Sequence, residues 1–343
     1  MPFFSILIPS YNRPLELKRN IESIISGTFT DYEIIISDDN SPKADDIRRV
    51  VSEYDGIDNI KFFSQSKNLK EPENKNFLVN EATGKFNIVL GDDDTFNSNS
   101  LKVIYDFIHD NPHFDIYGLG YNIVDEAGSL LSTHKSPVKL DLKDDFSRRL
   151  ITEAGSLPMM IFHPATFCCA SGVEKSLPYR TDVGIGEDMC FIVESVLLNK
   201  SFCVIPGALF NWRKVQDKNS VDQGNQSAEA IESINSKIKI YEVLKNKKYE
   251  TSFIADYIET YEYRKKFIYT EILRQKKNKL LDLDELIKYP EMEMELRGLR
   301  KSTLFSLGLR LLRVIRFIEI TRIMGVSSIF LIKDRFKSWR RNL

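Results

Sequence analysis

The sequence predicts an α/β fold with an all-helical region at its C-terminal end. Short apolar runs alternate with amphipathic helical segments over the first two-thirds of the chain. Strand signals stop after the polar stretch 217–227, and apolar residues beyond it repeat only at helical spacing. Alternating strands and helices form right-handed βαβ units, which gives a mostly parallel sheet flanked by helices.

Phe3–Pro9, Glu33–Ser37, Ile60–Ser64 and Phe86–Leu90 read as buried strands. Between them, Leu17, Ile21, Ile24 and Ile25 share one helix face, and Ile47, Val50, Val51 and Tyr54 share another. Leu101, Ile104, Tyr105 and Ile108 mark a third helix. Asp115–Tyr121 and Ala165–Ala170 continue the strand pattern. Met189, Ile192, Val193 and Val196 repeat at helical spacing, so Gly186, Glu187 and Asp188 open that helix. Phe202–Pro206 and Ala208–Trp212 read as two further strands. Ile231, Ile234, Ile238 and Tyr241, then Ile254, Tyr257, Ile258 and Tyr261, belong to helices. A boundary near residue 220 divides a catalytic domain, 1–220, from a helical region, 221–343.

Composition removes several functions. The 343 residues hold 48 Lys and Arg against 49 Asp and Glu, a balance that argues against a nucleic-acid partner. Cys168, Cys169, Cys190 and Cys203 form no C-x-x-C pair and read as buried reduced thiols of a cytoplasmic protein. The N-terminal apolar run lacks a basic leader and is too short for a signal peptide. The stretch Ile323–Ile332 is half the length a membrane span needs, about 20 residues.

Ligands of parallel sheets bind beyond the carboxyl ends of the strands, so the loops there carry the chemistry. The first loop, Pro9-Ser10-Tyr11-Asn12-Arg13-Pro14, has no glycine, which disfavours a dinucleotide-binding loop, and no ATP- or GTP-binding phosphate loop occurs either. A bound nucleotide would be held by side chains and a metal. Asp38-Asp39 suits either a helix cap or the recognition of a base. Asp92-Asp93-Asp94 places three carboxylates together, which repel unless a cation is present. Their hard oxygens suit Mg²⁺ or Mn²⁺ bridging to phosphate, while an exposed acidic turn is the plainer alternative. Glu187-Asp188 suits either a helix N-terminus, for dipole reasons, or a general base.

In order and spacing these loops resemble glycosyltransferase family 2. Ser5 to Arg13 is similar to its first strand and nucleotide loop, and Glu33 to Ser41 to its second. Asn68 through Gly84, with Lys75-Asn76 and Ala82-Thr83-Gly84-Lys85-Phe86, resembles the stretch written N-x-G…A-R-N…A-x-G-x-Y. Leu90 to Asp94 resembles D-x-D-D, with Gly91 in place of the first aspartate. Gly186-Glu187-Asp188 resembles the acceptor-side E-D motif, and Trp212-Arg213 the Y-R pair.

The resemblance, over residues 3–215, implies a GT-A fold and an inverting transfer of sugar from a UDP-sugar donor. It implies that Pro9, Tyr11 and Arg13 line the nucleotide pocket and that Asp39 meets the base. Lys75 falls where the family often has an arginine near the diphosphate, and Lys loses the bidentate fork. Asp92 would reach the ribose and Asp93 the Mn²⁺ or Mg²⁺. Asp188 would be the catalytic base, with Glu187 beside it. The acceptor implied is a glycan or lipid-linked glycan of cell-surface polysaccharide. The rival readings are a nucleotidyltransferase, which would want a glycine-rich basic first loop, and a sugar-nucleotide or glycan binder without activity.

From Leu296 to Leu343 twelve Lys or Arg stand against two acids, Glu319 and Asp334, a net of +10. Leu304, Phe305, Leu309, Phe317, Phe336 and Trp339 interleave with them. A basic, apolar helical tail suits an anionic membrane surface, and a helical pair packed on the catalytic domain is the alternative. Deleting the residues after Leu296 should reduce partition onto anionic liposomes, as should high salt on the intact chain. A truncated chain that aggregates or unfolds would favour the packed pair.

Overall fold

A computed structural model describes residues 1–135, 140–141, 162–183 and 186–214. These lie in one of the two compact units into which the chain divides. The helical region, its boundary near 220 and the basic tail lie outside the described residues.

The backbone runs β1 (Phe4–Ser10), α1 (Pro14–Ile25), β2 (Tyr32–Asp38), α2 (Ala44–Ser52), β3 (Ile60–Ser64), α3 (Glu71–Glu81) and β4 (Phe86–Val89). It continues through β5 (Thr95–Phe96), α4 (Ser100–Asp110), β6 (Ile116–Val124), β7 (Leu130–His134) and β8 (Leu140–Asp141). β9 (Phe167–Ala170), α5 (Ser171–Ser176), α6 (Glu187–Leu197) and β10 (Phe202–Arg213) complete it.

The strands form one sheet ordered β3-β2-β1-β4-β9-β6-β10-β5, with β7 on β6 and β8 on β10. The expected parallel sheet is its first half, where β3, β2, β1 and β4 run parallel. Beyond β4 the sheet is mixed: β9 is antiparallel to both β4 and β6, while β10 runs parallel to β6. The two strands expected over 202–212 are one. Pro206 and Gly207 interrupt it as a register shift between Ile205 and Phe210 rather than as a loop.

Register fixes where the loops emerge. Ser10 pairs with Asp38, and Leu7 with both Ile35 and Val89. The loops after β1, β2 and β4 therefore leave the same edge of the sheet. Pro14 at the first turn of α1 presets its φ and forfeits no needed N–H. Phe4, Ile6, Ile8, Ile34, Ile36 and Ile88 share one core with Leu17, Ile21, Ile47 and Ile104 of α1, α2 and α4. Leu7, Ile35 and Val89 alternate to the other face, and α3 packs there on β1 and β2 with Leu78 and Val79 buried.

A buried carboxylate locks these strands together. Glu33 Oε1 accepts from Ser5 Oγ (2.7 Å), Thr83 N (2.7 Å) and Thr83 Oγ1 (2.7 Å), and Oε2 accepts from Lys61 Nζ (2.8 Å). Gly84 N donates to Ser5 Oγ at 2.8 Å, and a Cβ on Gly84 would lie 2.7 Å from Ser5. That close approach is the physical reason for a glycine there. Burial alone would raise the Glu33 carboxyl; the bonds from Lys61, Ser5 and Thr83 outweigh it and hold it at about 2.

Because the folded-state value is depressed, this stabilisation is present above the unfolded value of about 4.3 and is lost as pH falls toward 2. Glu33→Gln should cost about 2–3 kcal/mol at pH 7 in urea unfolding. The gap to the wild type should narrow between pH 5 and 2; stability curves that stay parallel over that range would refute the assignment.

Candidate active site

Two asparagines start the loops at the sheet edge. Asn12 (φ 64°) and Asn40 (φ 57°) both take the left-handed conformation that Asn tolerates better than most residues. Asn12 N donates to Ser41 Oγ at 2.7 Å, which ties the first loop to the second. The turn brings Tyr11 N onto Asp92 Oδ2 at 3.1 Å. Pro9 is half-buried beneath it and the Tyr11 ring is exposed.

Arg13 is the cation of this loop. Its Nη1 lies 3.1 Å from Asp92 Oδ1 and 3.0 Å from Asp93 Oδ2, and nearly half of its side chain is exposed. Asp92 and Asp94 are buried, while Asp93 is 18% exposed. Asp94 Oδ1 accepts from Arg213 N at 3.0 Å, and Asn20 Nδ2 donates to the carbonyls of Gly91 (2.7 Å) and Asp94 (2.9 Å). Those bonds shape the turn. A Cβ on Gly91 would lie 3.1 Å from the Asp94 carboxylate and 3.2 Å from that of Asp93. The missing first aspartate of D-x-D-D is thus a position where an added side chain would meet two carboxylates.

The acidic turn lacks matching positive charge. Burial pushes Asp92 up to about 6 against the opposing pull of Arg13, and Asp93 adds repulsion. Asp93 is raised by burial as well, and Asp94 further, by burial and then by Asp93. Among the described residues no three Asp, Glu, His or Cys side chains converge on one point. This donor set fits a hard divalent cation carried on one or two carboxylates and completed by phosphate and water, and does not fit a closed protein cage.

Asp39 stands apart from that turn. It is buried, and its oxygens accept from Leu69 N (2.6 Å) and Lys70 N (3.0 Å). Lys70 stands where the N-x-G stretch has its glycine, and its backbone is at φ 73°, ψ 160°. That region is essentially reserved for glycine and costs about 1–3 kcal/mol otherwise. The grip of Asp39 on two successive amides holds the strained residue at the start of α3.

The structure brings Lys75 to Glu187 and Asp188, the motif 112 residues further on. Its Nζ lies 2.8 Å from Glu187 Oε1, 2.7 Å from Asp188 Oδ1 and 2.9 Å from Glu71 Oε1. Lys75 and Glu187 are buried, while Asp188 is 19% exposed. The Lys75 ammonium is held well above its usual range by Asp188, Glu71 and Glu187, which outweigh its burial. Burial raises the Asp188 carboxyl to about 7 against Lys75, with Glu187 and Glu71 adding to the rise.

Three residues of this cluster are absent from the sequence reading. Glu71 lies 2.9 Å from the Lys75 ammonium; its i,i+4 spacing to Lys75 is the available signal. Tyr179 lies under the Lys75 ammonium, 5.6 Å from ring centroid to Nζ, and Glu174 accepts its hydroxyl at 2.8 Å. No local pattern marks those two.

Residues 5–171 match the sequence profile of Glycosyl transferase family 2. A GalNAc(5)-diNAcBac-PP-undecaprenol beta-1,3-glucosyltransferase of Campylobacter jejuni is 39% identical over 106 residues, 30% of this chain and 34% of that protein. The chain thus spans about a third of that relative's length. Among solved structures, Staphylococcus aureus TarS 1–349 in complex with UDP aligns with a TM-score of 0.57 at 19% identity, over 76% of this chain and 71% of that one. A mannosyltransferase from Pyrobaculum calidifontis, in complex with GDP-Man and Mn²⁺, aligns at 0.53 and 13% identity, over 96% and 87%. Both show the fold.

Relief of the strain at residue 70 is measurable. Lys70→Gly should stabilise the chain by about 1 kcal/mol, because the strain removed exceeds the entropy a glycine adds to the unfolded chain. A lower urea midpoint for this variant would contradict the strained geometry.

Proposed function

We propose that this chain, whose residues 5–171 belong to glycosyl transferase family 2, moves a sugar from a UDP-sugar to an acceptor hydroxyl with inversion. The observation that carries this reading is the Asp188 carboxyl, partly exposed, held on Lys75 and raised to about 7. A general base works best when its pKa lies near the operating pH. An ordinary helix-capping aspartate would be a far weaker one.

The roles divide between the two clusters. Arg13 holds Asp92 and Asp93 together and offers its exposed face to the donor diphosphate. Asp93, with Asp92 beside it, would hold Mn²⁺ or Mg²⁺, with Asp92 also within the ribose pocket. Such an ion, when bound, offsets the charge that grows on a departing diphosphate. Tyr11 and Pro9 line the nucleotide pocket, and Asp39 meets the uracil. The UDP complex of TarS supports a uridine donor; the Mn²⁺ in the mannosyltransferase complex supports the cation.

The acceptor oxygen attacks the anomeric carbon as the bond from that carbon to the diphosphate oxygen breaks. The acceptor's proton passes to Asp188, and a single displacement inverts the carbon. Alignment and exclusion of competing water supply much of the rest of the rate. The undecaprenol-linked substrate named for the Campylobacter relative supports a glycan on a lipid carrier as acceptor. The basic tail, on an anionic membrane surface, would bring the enzyme to it. The work then belongs to cell-surface polysaccharide synthesis on the cytoplasmic side.

The reading is tested by UDP release from a panel of UDP-sugars with Mn²⁺, followed by mass spectrometry of any glycosylated product. Asp93→Ala should abolish metal-dependent donor binding and turnover; turnover indifferent to both the substitution and EDTA would remove the metal role. Asp188→Asn keeps the shape and capping capacity and loses the basicity. It should bind donor almost normally and turn over about 10²-fold more slowly or worse. Retention of most of the transfer rate would mean that the base lies elsewhere, with Glu187 next in line.

A further inference from the structure

Lys75 sits where a diphosphate ligand is expected, yet its contacts point the other way. The Lys75 side chain is 2% exposed, and its ammonium has three N–H bonds to give. Glu71, Glu187 and Asp188 each lie within 2.9 Å of it, so three carboxylates match three donors and leave none for phosphate. The Tyr179 ring lies against the same ammonium. Tyr179 is itself fixed: its hydroxyl donates to Glu174, its N–H donates to Asn76 Oδ1 at 2.8 Å, and Asn76 Nδ2 donates to its carbonyl at 2.8 Å. Its ring also stacks on Phe191 of α6, centroids 5.0 Å apart. Helices α3 and α6 and the loop before α6 thus meet on one cation.

We propose that Lys75, backed by Tyr179, is a positioning residue that holds the Asp188 carboxylate ready to take the acceptor proton, and that it does not bind the donor diphosphate. This rests on the reading of Asp188 as the base. Glu187 and Asp188 are adjacent acids at the start of one helix, and they repel each other in a poorly hydrated site. Without a cation between them one would be protonated at neutral pH and useless as a base. Lys75 opposes the rise from burial and keeps the Asp188 carboxyl near neutrality instead of above it, while Glu71 draws on the same ammonium. Glu174, buried behind Tyr179, is also pushed up to about 7 by burial, against the pull of Tyr179 and Lys75. Tyr179 stays neutral, its hydroxyl pushed up by burial, and His163 is pushed down to about 4 by burial and by Lys75, so it too is neutral.

Two measurements on the full chain with Mn²⁺ separate base positioning from diphosphate binding. One is the affinity for UDP by calorimetry. The other is the pH profile of UDP release from UDP-glucose or UDP-N-acetylglucosamine, whichever the wild type turns over, with water as acceptor. Lys75→Met should leave the Kd for UDP within about twofold. Its kcat at pH 7 should fall about tenfold or more, and the acid limb of the profile should move up by about a pH unit. Glu71→Gln alters an exposed side chain and spares the core; it should move the acid limb down, because a charge that raises Asp188 is gone. A Kd for UDP weakened tenfold in Lys75→Met with the limb in place overturns the proposal. If Lys75→Met does not fold, Glu71→Gln decides, and an unmoved limb there overturns it. A wild-type chain that neither binds nor releases UDP would instead overturn the transferase reading, and this proposal with it.

Discussion

The ammonium of Lys75 is the contact on which the geometry of the site depends. It comes from the middle of α3, which packs on β1 and β2, and it reaches the first turn of α6, more than a hundred residues later in the chain. A buried ion cluster of this kind adds little net stability, since desolvation consumes much of the attraction. Losing one partner is nonetheless expensive, about 3–5 kcal/mol, because it strands a buried charge. The cluster therefore acts as a constraint on arrangement: α6 can dock only where its two acids meet that cation. The Tyr179–Glu174 and Tyr179–Asn76 bonds then fix the loop leading into α6.

The acidic turn repeats that charge ratio around a more exposed cation. Arg13 supplies one positive charge to three carboxylates, and burial, with their mutual repulsion, holds all three above their usual range. A site with surplus negative charge beside an exposed guanidinium suits a ligand that brings both a cation and phosphate oxygens. The two clusters thus share one ratio, a single cation to three acids, and differ in burial: the Lys75 side chain is 2% exposed and that of Arg13 46%.

Much of this was legible in the sequence, for identifiable reasons. β1, β2 and β4 announce themselves because strands buried on both faces are nearly continuous apolar runs, and their loops follow directly; β3, expected to be buried, is the edge strand and holds no buried residue. α6 was legible from Met189, Ile192, Val193 and Val196. α3 was not, because it has no apolar stripe: Asn74 and Lys75 are buried in it as polar groups, alongside Leu78 and Val79. The two-residue strands β5 and β8 are too short for a period-2 signal, and β7, Leu-Leu-Ser-Thr-His, neither alternates nor buries a residue. The single β10 reads as two strands in the sequence because Pro206 and Gly207 adjoin within it. Acidic positions were visible as motifs, but their partners were not. That Lys75 meets Asp188, or that Tyr179 lies under Lys75, is a fact of tertiary packing with no local trace. The strain at Lys70 is of the same kind, since a lysine in a turn gives no hint of its φ.

The central claim is that burial and the Lys75 pairing together poise Asp188 as a base near neutrality. The most direct measurement is a ¹³C titration of aspartate carboxyl resonances in the full chain, with the Asp188 signal assigned by its absence from the asparagine variant. The account predicts a midpoint near 7 for that signal, about three units above an ordinary aspartate. A midpoint in the ordinary range, below about 5, would contradict it.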